Sequence, residues 1–366
     1  MKPVLFVTGH APSYRVGAFA RLHELEDVEF ALFGGRSKHG GETHAGELPF
    51  PHRYVRPRDV AMLAARGSHR AVVCSTGGRV APAASWLGAR RAGVPLILWS
   101  SLWAHPRSVA HAFSYLPLRH LYGSADAVVT YGPHVSAYVR ARGARNVHVA
   151  PQSVDNAFWG GSETAPPREP LWPAAAETKF LFVGRPAPEK GIQLLLEAWR
   201  ESGLQAHAAA LVLVGPGAGG AERSAPRHAG AGSGVLSLAA VPASELRNLY
   251  DASDVLVVPS IATRTFREPW GLVVNEAMNR RLPVIASNAV GAAAGGLVRD
   301  GENGLVVPAQ DSKALATAME RLAGDPALRA RLGEAGAADV QAFSHDAWAR
   351  GFSEALGSLG LSLERW

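Results

Sequence analysis

Cysteine is almost missing from this chain: one in 366 residues, so no disulfide can close within it. That suits a reducing compartment, and a cytoplasmic protein is expected. Cys74 sits in the apolar run AVVCST and reads as a small core residue rather than a nucleophile. Long apolar runs are missing too; none reaches the roughly 18 residues of a membrane span. The opening MKPVLFVTGHAPSYR is not expected to be a secretory signal. Its apolar stretch covers about five residues, where a signal needs roughly 7 to 15. There is no Walker loop, no Cys/His zinc spacing and no Asp-x-Asp pair, and the 14 histidines form no His-Glu-x-x-His frame. Neither a metal centre nor P-loop chemistry is therefore expected.

Acidic residues are scarce in one half only. Residues 1–165 hold 18 Lys and Arg against 10 Asp and Glu; the rest hold 19 against 21. A basic half either meets an anionic partner or is merely solvated. With 47% hydrophobic and 19% charged residues the chain is globular, and its length exceeds one ordinary core.

What is present is an alternation of short apolar runs with helical patterns. PVLFVTG, VEFALFGG, HRAVVCSTGG, VPLILWSS, ADAVVTYG and NVHVAPQ read as buried strands. A Pro-, Gly- and Ala-rich stretch, NAFWGGSETAPPREPLWPAAAETK, reads as a linker. The alternation then restarts with KFLFVG, AALVLVG, GVLSLAA, DVLVVPS, LPVIAS and GLVVPA. Buried strands alternating with helices mean parallel sheets covered on both faces. The expected architecture is α/β: two Rossmann-like, doubly wound domains, 1–165 and 166–343, facing across a cleft. The amphipathic tail 344–366, capped by Ser344, is expected to pack back on the first.

Three stretches carry candidate chemistry. LVLVGPGAGG resembles a dinucleotide fingerprint, but the Pro- and Gly-rich sequence after it cannot form the required helix, so a loop is expected. FLFVGRPAPEKG brings Arg185 and Lys190 to the carboxyl end of a strand, where a fork and a point charge suit a phosphate. Two solvated loop charges would look the same. FREPWGLVVNEAMNRRLPVIAS holds Glu268 and Glu276 with seven residues between. Pro269 suits a first helical turn, so amides near Trp270, Gly271 and Leu272 are expected to face an anion. Each carboxylate can accept from a pair of vicinal hydroxyls, so the two suit a molecule with two sugars. The plainer reading makes Glu268 a helix-dipole cap and Glu276 a surface residue.

VGRPAPEKG, YDASDVLVVPS, EPWGLVVNEAMNRRLPVIAS and VRDGENGLVVPAQD together resemble the carboxyl-terminal half of the family 4 glycosyltransferases. The likeness is strong over about 178–345 and looser before it. It implies the two-domain GT-B fold, a nucleotide-sugar donor and retention of anomeric configuration. It implies that Arg185 and Lys190 hold the donor diphosphate and that Glu268 binds the transferred sugar. Gly271 and Leu272 would face sugar and phosphate, Glu276 the ribose, and Ala240 and Val241 the base. UDP is favoured by family habit, and no metal or other cofactor is implied.

The sequence departs from the family at three places. The usual first-domain His is replaced by Ser100 and Ser101, with His105 as a stand-in; the usual Gly before LPVIAS is Arg281; and Gly295 and Gly296 stand where an acid is common. Acceptor or cleft candidates are Arg15, Gly17, Ser101 and His105. The expected function is hexosyl transfer to a hydroxyl acceptor, in bacterial glycolipid, polysaccharide or glycoconjugate synthesis. A lipid-linked acceptor is expected, with docking to an anionic membrane at its inner face through surface groups near Arg15, Trp99, Trp103 and Arg107; no nucleic acid is expected. A soluble small-molecule acceptor, and a non-catalytic nucleotide-sugar binder, remain as alternatives. A phosphorylase of the same fold would need a lysine carrying pyridoxal phosphate, and no feature marks one.

Overall fold

The computed structural model describes residues 1–34, 47–161, 176–206, 209–215, 227–228 and 234–363. The chain divides into two compact units, residues 1–155 with 343–366, and 156–342. The expected division at 165/166 falls ten residues too late. Residues Asn156–Gly160 form a helix, not a linker, and Asn156 accepts from Asn279 Nδ2 at 3.0 Å within the second unit. Residues 162–175, the rest of that linker, and the glycine-rich loop after Gly215 lie outside the described residues.

The first unit is built on a seven-stranded sheet. Its strands are β1 (Val4–Thr8), β2 (Val28–Leu32), β3 (His52–Tyr54), β4 (Ala71–Ser75), β5 (Leu96–Ser100), β6 (Ala127–Thr130) and β7 (Val147–Val149). All pairs are parallel and the order is β3-β2-β1-β4-β5-β6-β7. The apolar runs read from the sequence supply every strand but one. His52–Tyr54 is exposed and polar, so no apolar pattern announces this edge strand.

Helices cover both faces. On one side Phe6, Phe19, Phe30 and Trp99 pack with Trp348 and Phe352 from the final helix, His345–Gly357. Ser344 Oγ caps that helix by accepting from Ala347 N at 3.1 Å. On the other side Cys74 is wholly buried, and burial pushes its thiol up to about 12, as befits a core residue.

The second unit repeats the plan. Its strands are β8 (Thr178–Val183), β9 (Ala209–Val214), β10 (Arg227–His228), β11 (Val235–Leu238), β12 (Val255–Val258), β13 (Val284–Ser287) and β14 (Gly304–Val307). Their order is β10-β11-β9-β8-β12-β13-β14, parallel but for the antiparallel edge strand β10. In both sheets successive strands run to one side and then jump back over the first. The switch points lie between β1 and β4 and between β8 and β12, where open α/β sheets bind ligands at the strands' carboxyl ends.

Candidate functional site

β8 and β12 end side by side, and the loops leaving them build the site. After Gly184 the chain makes a short turn, with Ala187 N donating to Arg185 O at 2.8 Å, and then a single 3-10 turn, Pro188–Lys190. Gly191 follows at φ 70°, and a Cβ there would stand 2.1 Å from Pro259 O. Only glycine lets this loop lie against the end of β12. Ile261 N donates to Glu189 O at 2.9 Å, which stitches the two loops together. Lys190 Nζ, thus fixed, ion-pairs with Glu268 Oε2, and both side chains are largely buried. Arg185 stays half-exposed at the rim, 3.3 Å from Glu189 Oε1. The two basic residues are therefore not equivalent: one is largely buried against Glu268, the other half-exposed against Glu189.

Glu268 is pinned by its backbone, which bridges to Val290 as in a parallel sheet. The expected helix start at Pro269 is not found. Gly271 has φ 92°, which no helix tolerates, and the helix spans Val273–Asn279. Leu272 becomes its cap. Among the described residues none accepts from the amides of Gly271 or Leu272, which leaves both donors to solvent or ligand. Trp270 differs from its expected role. Its side chain is buried, its Nε1 donates to Asn275 Oδ1 at 2.7 Å, and its carbonyl accepts from Ala292 N at 2.8 Å. It anchors the loop, and any ligand contact would come from its backbone.

Glu276 sits one helical stretch on. Its Oε2 accepts from Tyr250 Oη at 2.8 Å. Burial pushes the carboxyl up to about 7, while the tyrosine's hydrogen bond pulls the other way. Tyr250 is itself buried, from the helix Ala243–Asp251, and its ring meets Trp159 edge-on at 5.8 Å. Burial first, and the neighbouring carboxylate second, hold its hydroxyl well above the usual range. Tyr250 was not picked out from the sequence, although a tyrosine on the apolar stripe of a helix must find a buried partner. Ala240, exposed, and Val241, half-buried, lie between β11 and that helix, at the carboxyl edge of the same sheet.

The candidates in the first unit divide differently. Arg15 is buried, not a surface group. Its Nη2 donates to Gln152 Oε1, and its guanidinium lies 5.3 to 5.4 Å from the rings of Tyr14, Trp99 and Trp348. Trp99 is buried with it, so neither can touch a membrane. Trp103 is half-buried, and of the four groups named for docking Arg107 is the exposed one. Gly17 is a packing position: a Cβ there would come within 2.5 Å of His345 Nδ1. Ser101 is half-buried and touches Tyr131. His105 is tied into its own unit, with Nε2 at 2.8 Å from His111 O and Nδ1 at 3.4 Å from Tyr138 Oη.

Among the described residues no group of His, Cys, Asp and Glu could hold a metal ion. Residues 170–339 match the family described as Glycosyl transferases group 1. That match lies within the second unit and takes in a little less than half of the chain. A D-inositol 3-phosphate glycosyltransferase of Acidothermus cellulolyticus is 31% identical over 283 residues, 71% of this chain. The chain spans 61% of that protein's length. The Anabaena protein HepE, solved in complex with UDP, superposes with a TM-score of 0.73 over 97% of this chain and all of its own, at 19% identity. Sucrose-phosphate synthase from Thermosynechococcus elongatus does so at 0.68 over 98% of this chain and 99% of its own, at 20% identity. The fold is that of the GT-B glycosyltransferases.

In the second unit the residues expected to serve the donor collect at one edge. Lys190, Glu268 and the Gly271–Leu272 amides come from the loops after β8 and β12, and Glu276 follows on the next helix. A cation, an acceptor of hydroxyl hydrogen bonds and two backbone donors are what a sugar diphosphate requires.

Proposed function

We propose that the protein transfers a hexosyl group from UDP-sugar to a hydroxyl acceptor with retention of configuration. The observation that carries this is the meeting of Lys190 and Glu268 beside the unbonded amides of Gly271 and Leu272. In the reaction the bond from the sugar's anomeric carbon to the diphosphate breaks. A bond from that carbon to the acceptor oxygen forms on the same face. The acceptor's proton passes to the departing phosphate oxygen, and UDP leaves. Lys190, Arg185 and the two amides meet the charge that develops on the diphosphate, so no metal ion is needed. Glu268 holds the sugar's hydroxyls and Glu276 those of the ribose, with Ala240 and Val241 beside the base.

The acceptor is read as a hydroxyl compound carrying a negative charge, lipid-linked, at the inner face of a membrane. The arginine-rich first unit supports this. A second reading, a soluble polyol phosphate, is favoured by the inositol phosphate in the relatives' name. A panel of nucleotide sugars in a thermal-shift assay tests the donor, since a ligand of the native state raises its apparent stability. A UDP-sugar should raise the transition most, and NMR of the product should show the donor's own anomeric configuration. An inverted product, or no response to any UDP-sugar, overturns the proposal. Binding without hydrolysis or transfer would leave a non-catalytic binder.

A further inference from the structure

The first unit presents a surface that its own fold does not use. The helix Val109–Ser124 packs one stripe inward, with Leu121 and Tyr122 buried in the core. Its other stripe faces solvent. Val109 and Phe113 are each 79% exposed and Leu116 69%. Their spacing of four and three places them in one row along the helix. Exposed apolar side chains scattered singly need no explanation, but a row of three on one helix does.

Beside this row lies an open hollow of about 480 Å³, lined by Leu116 together with Arg119, His120, Ser124, Arg142 and Arg145. Arg142 is held in place, Nη1 donating to Tyr138 O at 3.0 Å with the guanidinium 3.5 Å over the Tyr138 ring. Arg119 and Arg145 are exposed. None of the three arginines is in an ion pair among the described residues. The neighbouring helix Ala81–Ala92 touches this one and adds Arg90, stacked over Trp86, whose ring meets His120 at 5.3 Å. The sequence here is unusually one-sided. Between Asp59 and Asp155 the sole acidic residue is Asp126, against ten arginines.

We infer that this face docks on an anionic lipid surface, with Val109, Phe113 and Leu116 entering the acyl boundary and the arginine-lined hollow taking a phosphate headgroup. Membrane docking rests on the acceptor reading above for its purpose, and on these residues for its support. An apolar row flanked by cations and interfacial aromatics is the pattern of an element lying in a bilayer interface. No helix among the described residues is long and apolar enough to cross a membrane, so attachment would be peripheral. A second copy of the chain fits poorly, because a two-fold contact would set the same arginines against one another.

Sedimentation with vesicles tests this. The protein should pellet with phosphatidylcholine vesicles containing phosphatidylglycerol and stay free of phosphatidylcholine alone. At 1 M salt, where the Debye length is about 3 Å, it should be released. Phe113→Ser with Leu116→Ser should weaken partition by about tenfold. Arg119→Glu with Arg145→Glu should abolish the preference for anionic vesicles. All four side chains are exposed or at the hollow's rim, so the fold should survive, and the thermal shift with UDP-sugar should be unchanged in both variants. That control separates failure here from failure of the donor assignment. Equal pelleting of wild type and both variants overturns the inference. So does a wild type that stays in the supernatant at low salt, or one that binds inorganic phosphate but no vesicle. A dimer without lipid that Phe113→Ser dissolves would make the row an interface between copies instead.

Discussion

Glu276 is the side chain whose chemistry owes most to its surroundings. Its carboxyl is pushed up to about 7 from an ordinary 4.5, because burial disfavours the charged form. An acid raised in the folded state stabilises the protein below its unfolded pKa, and that stability is lost as pH rises through 7. The loss amounts to at most about 3.4 kcal/mol at one pKa unit per 1.36 kcal/mol. Glu276→Gln should flatten the fall in urea-unfolding free energy between about pH 5 and 7. The donor's hydroxyls would favour the charged form. Donor binding below about pH 7 should therefore release up to one proton, measurable by calorimetry in buffers of different ionisation heat. If wild type and Glu276→Gln release the same number, Glu276 does not touch the donor.

Arg281 offers a second test of the same kind. It has φ 55°, the left-handed region, and its exposed guanidinium pairs with Glu334 at 3.1 Å. An exposed pair contributes little, whereas a non-glycine residue in that region costs about 1 to 2 kcal/mol. Glycine's extra freedom in the unfolded chain offsets about 0.4 to 1 kcal/mol of the gain. Arg281→Gly should still stabilise, by up to about 1.6 kcal/mol, in urea titration. The departure noted in the sequence is thus a strained position.

Between elements, the pair of Lys190 and Glu268 matters most. The residues are 78 apart in sequence and meet because β8 and β12 are neighbours. Lys190→Ala should lower kcat about 10²-fold if the ammonium stabilises leaving-group charge. Glu268→Gln should keep UDP affinity and lose transfer. Each single change leaves a partly buried charge without its partner. The stability costs of the two Ala variants should therefore be non-additive, with a coupling of about 0.5 to 3 kcal/mol in a double-mutant cycle. Additive costs would mean the pair contributes nothing in solution. The contact of the last helix with β7 is equally close: a Cβ on Gly351 would stand 2.3 Å from Val149 O. Gly351→Ala should destabilise by about 1 to 3 kcal/mol.

The whole chain is two units, one of which is discontinuous. Residues 156–342 form theirs from a single stretch, so that segment expressed alone should fold and show a thermal shift with UDP. Residues 1–155 without 343–366 lack Trp348, Phe352 and Leu356, all at most 1% exposed within their core. They also lose the tail that the buried pair of Arg70 and Glu26 holds, through Arg70 Nε to Leu361 O and Leu363 N to Glu26 Oε2, both at 2.9 Å. That truncated segment should fail to give a cooperative unfolding transition. A cooperative one would show the final helix to be dispensable.

Local pattern determined much of this protein. Short Val-, Leu- and Ile-rich runs between helical stretches dictated parallel sheets, because a strand buried on both faces has no polar side to show. The spacing of Glu268 and Glu276 after VVPS singled out two carboxylates on the segments that follow β12, and the charge count singled out residues 1–165 as the basic half. Other features have no local signature. The polar strand His52–Tyr54 exists because β2 has an open edge. Gly271, not Pro269, decides where the helix begins, because one positive φ outweighs a favourable first-turn residue. Arg15 reads as a surface charge until Trp348, more than 300 residues later, closes over it. Tyr250 becomes the partner of Glu276 only once the fold brings the helix before β12 within reach of the helix after it. Periodicity reports which face of an element is apolar. Which distant element covers that face, and which buried polar groups then have to pair, is decided by the packing of the whole sheet.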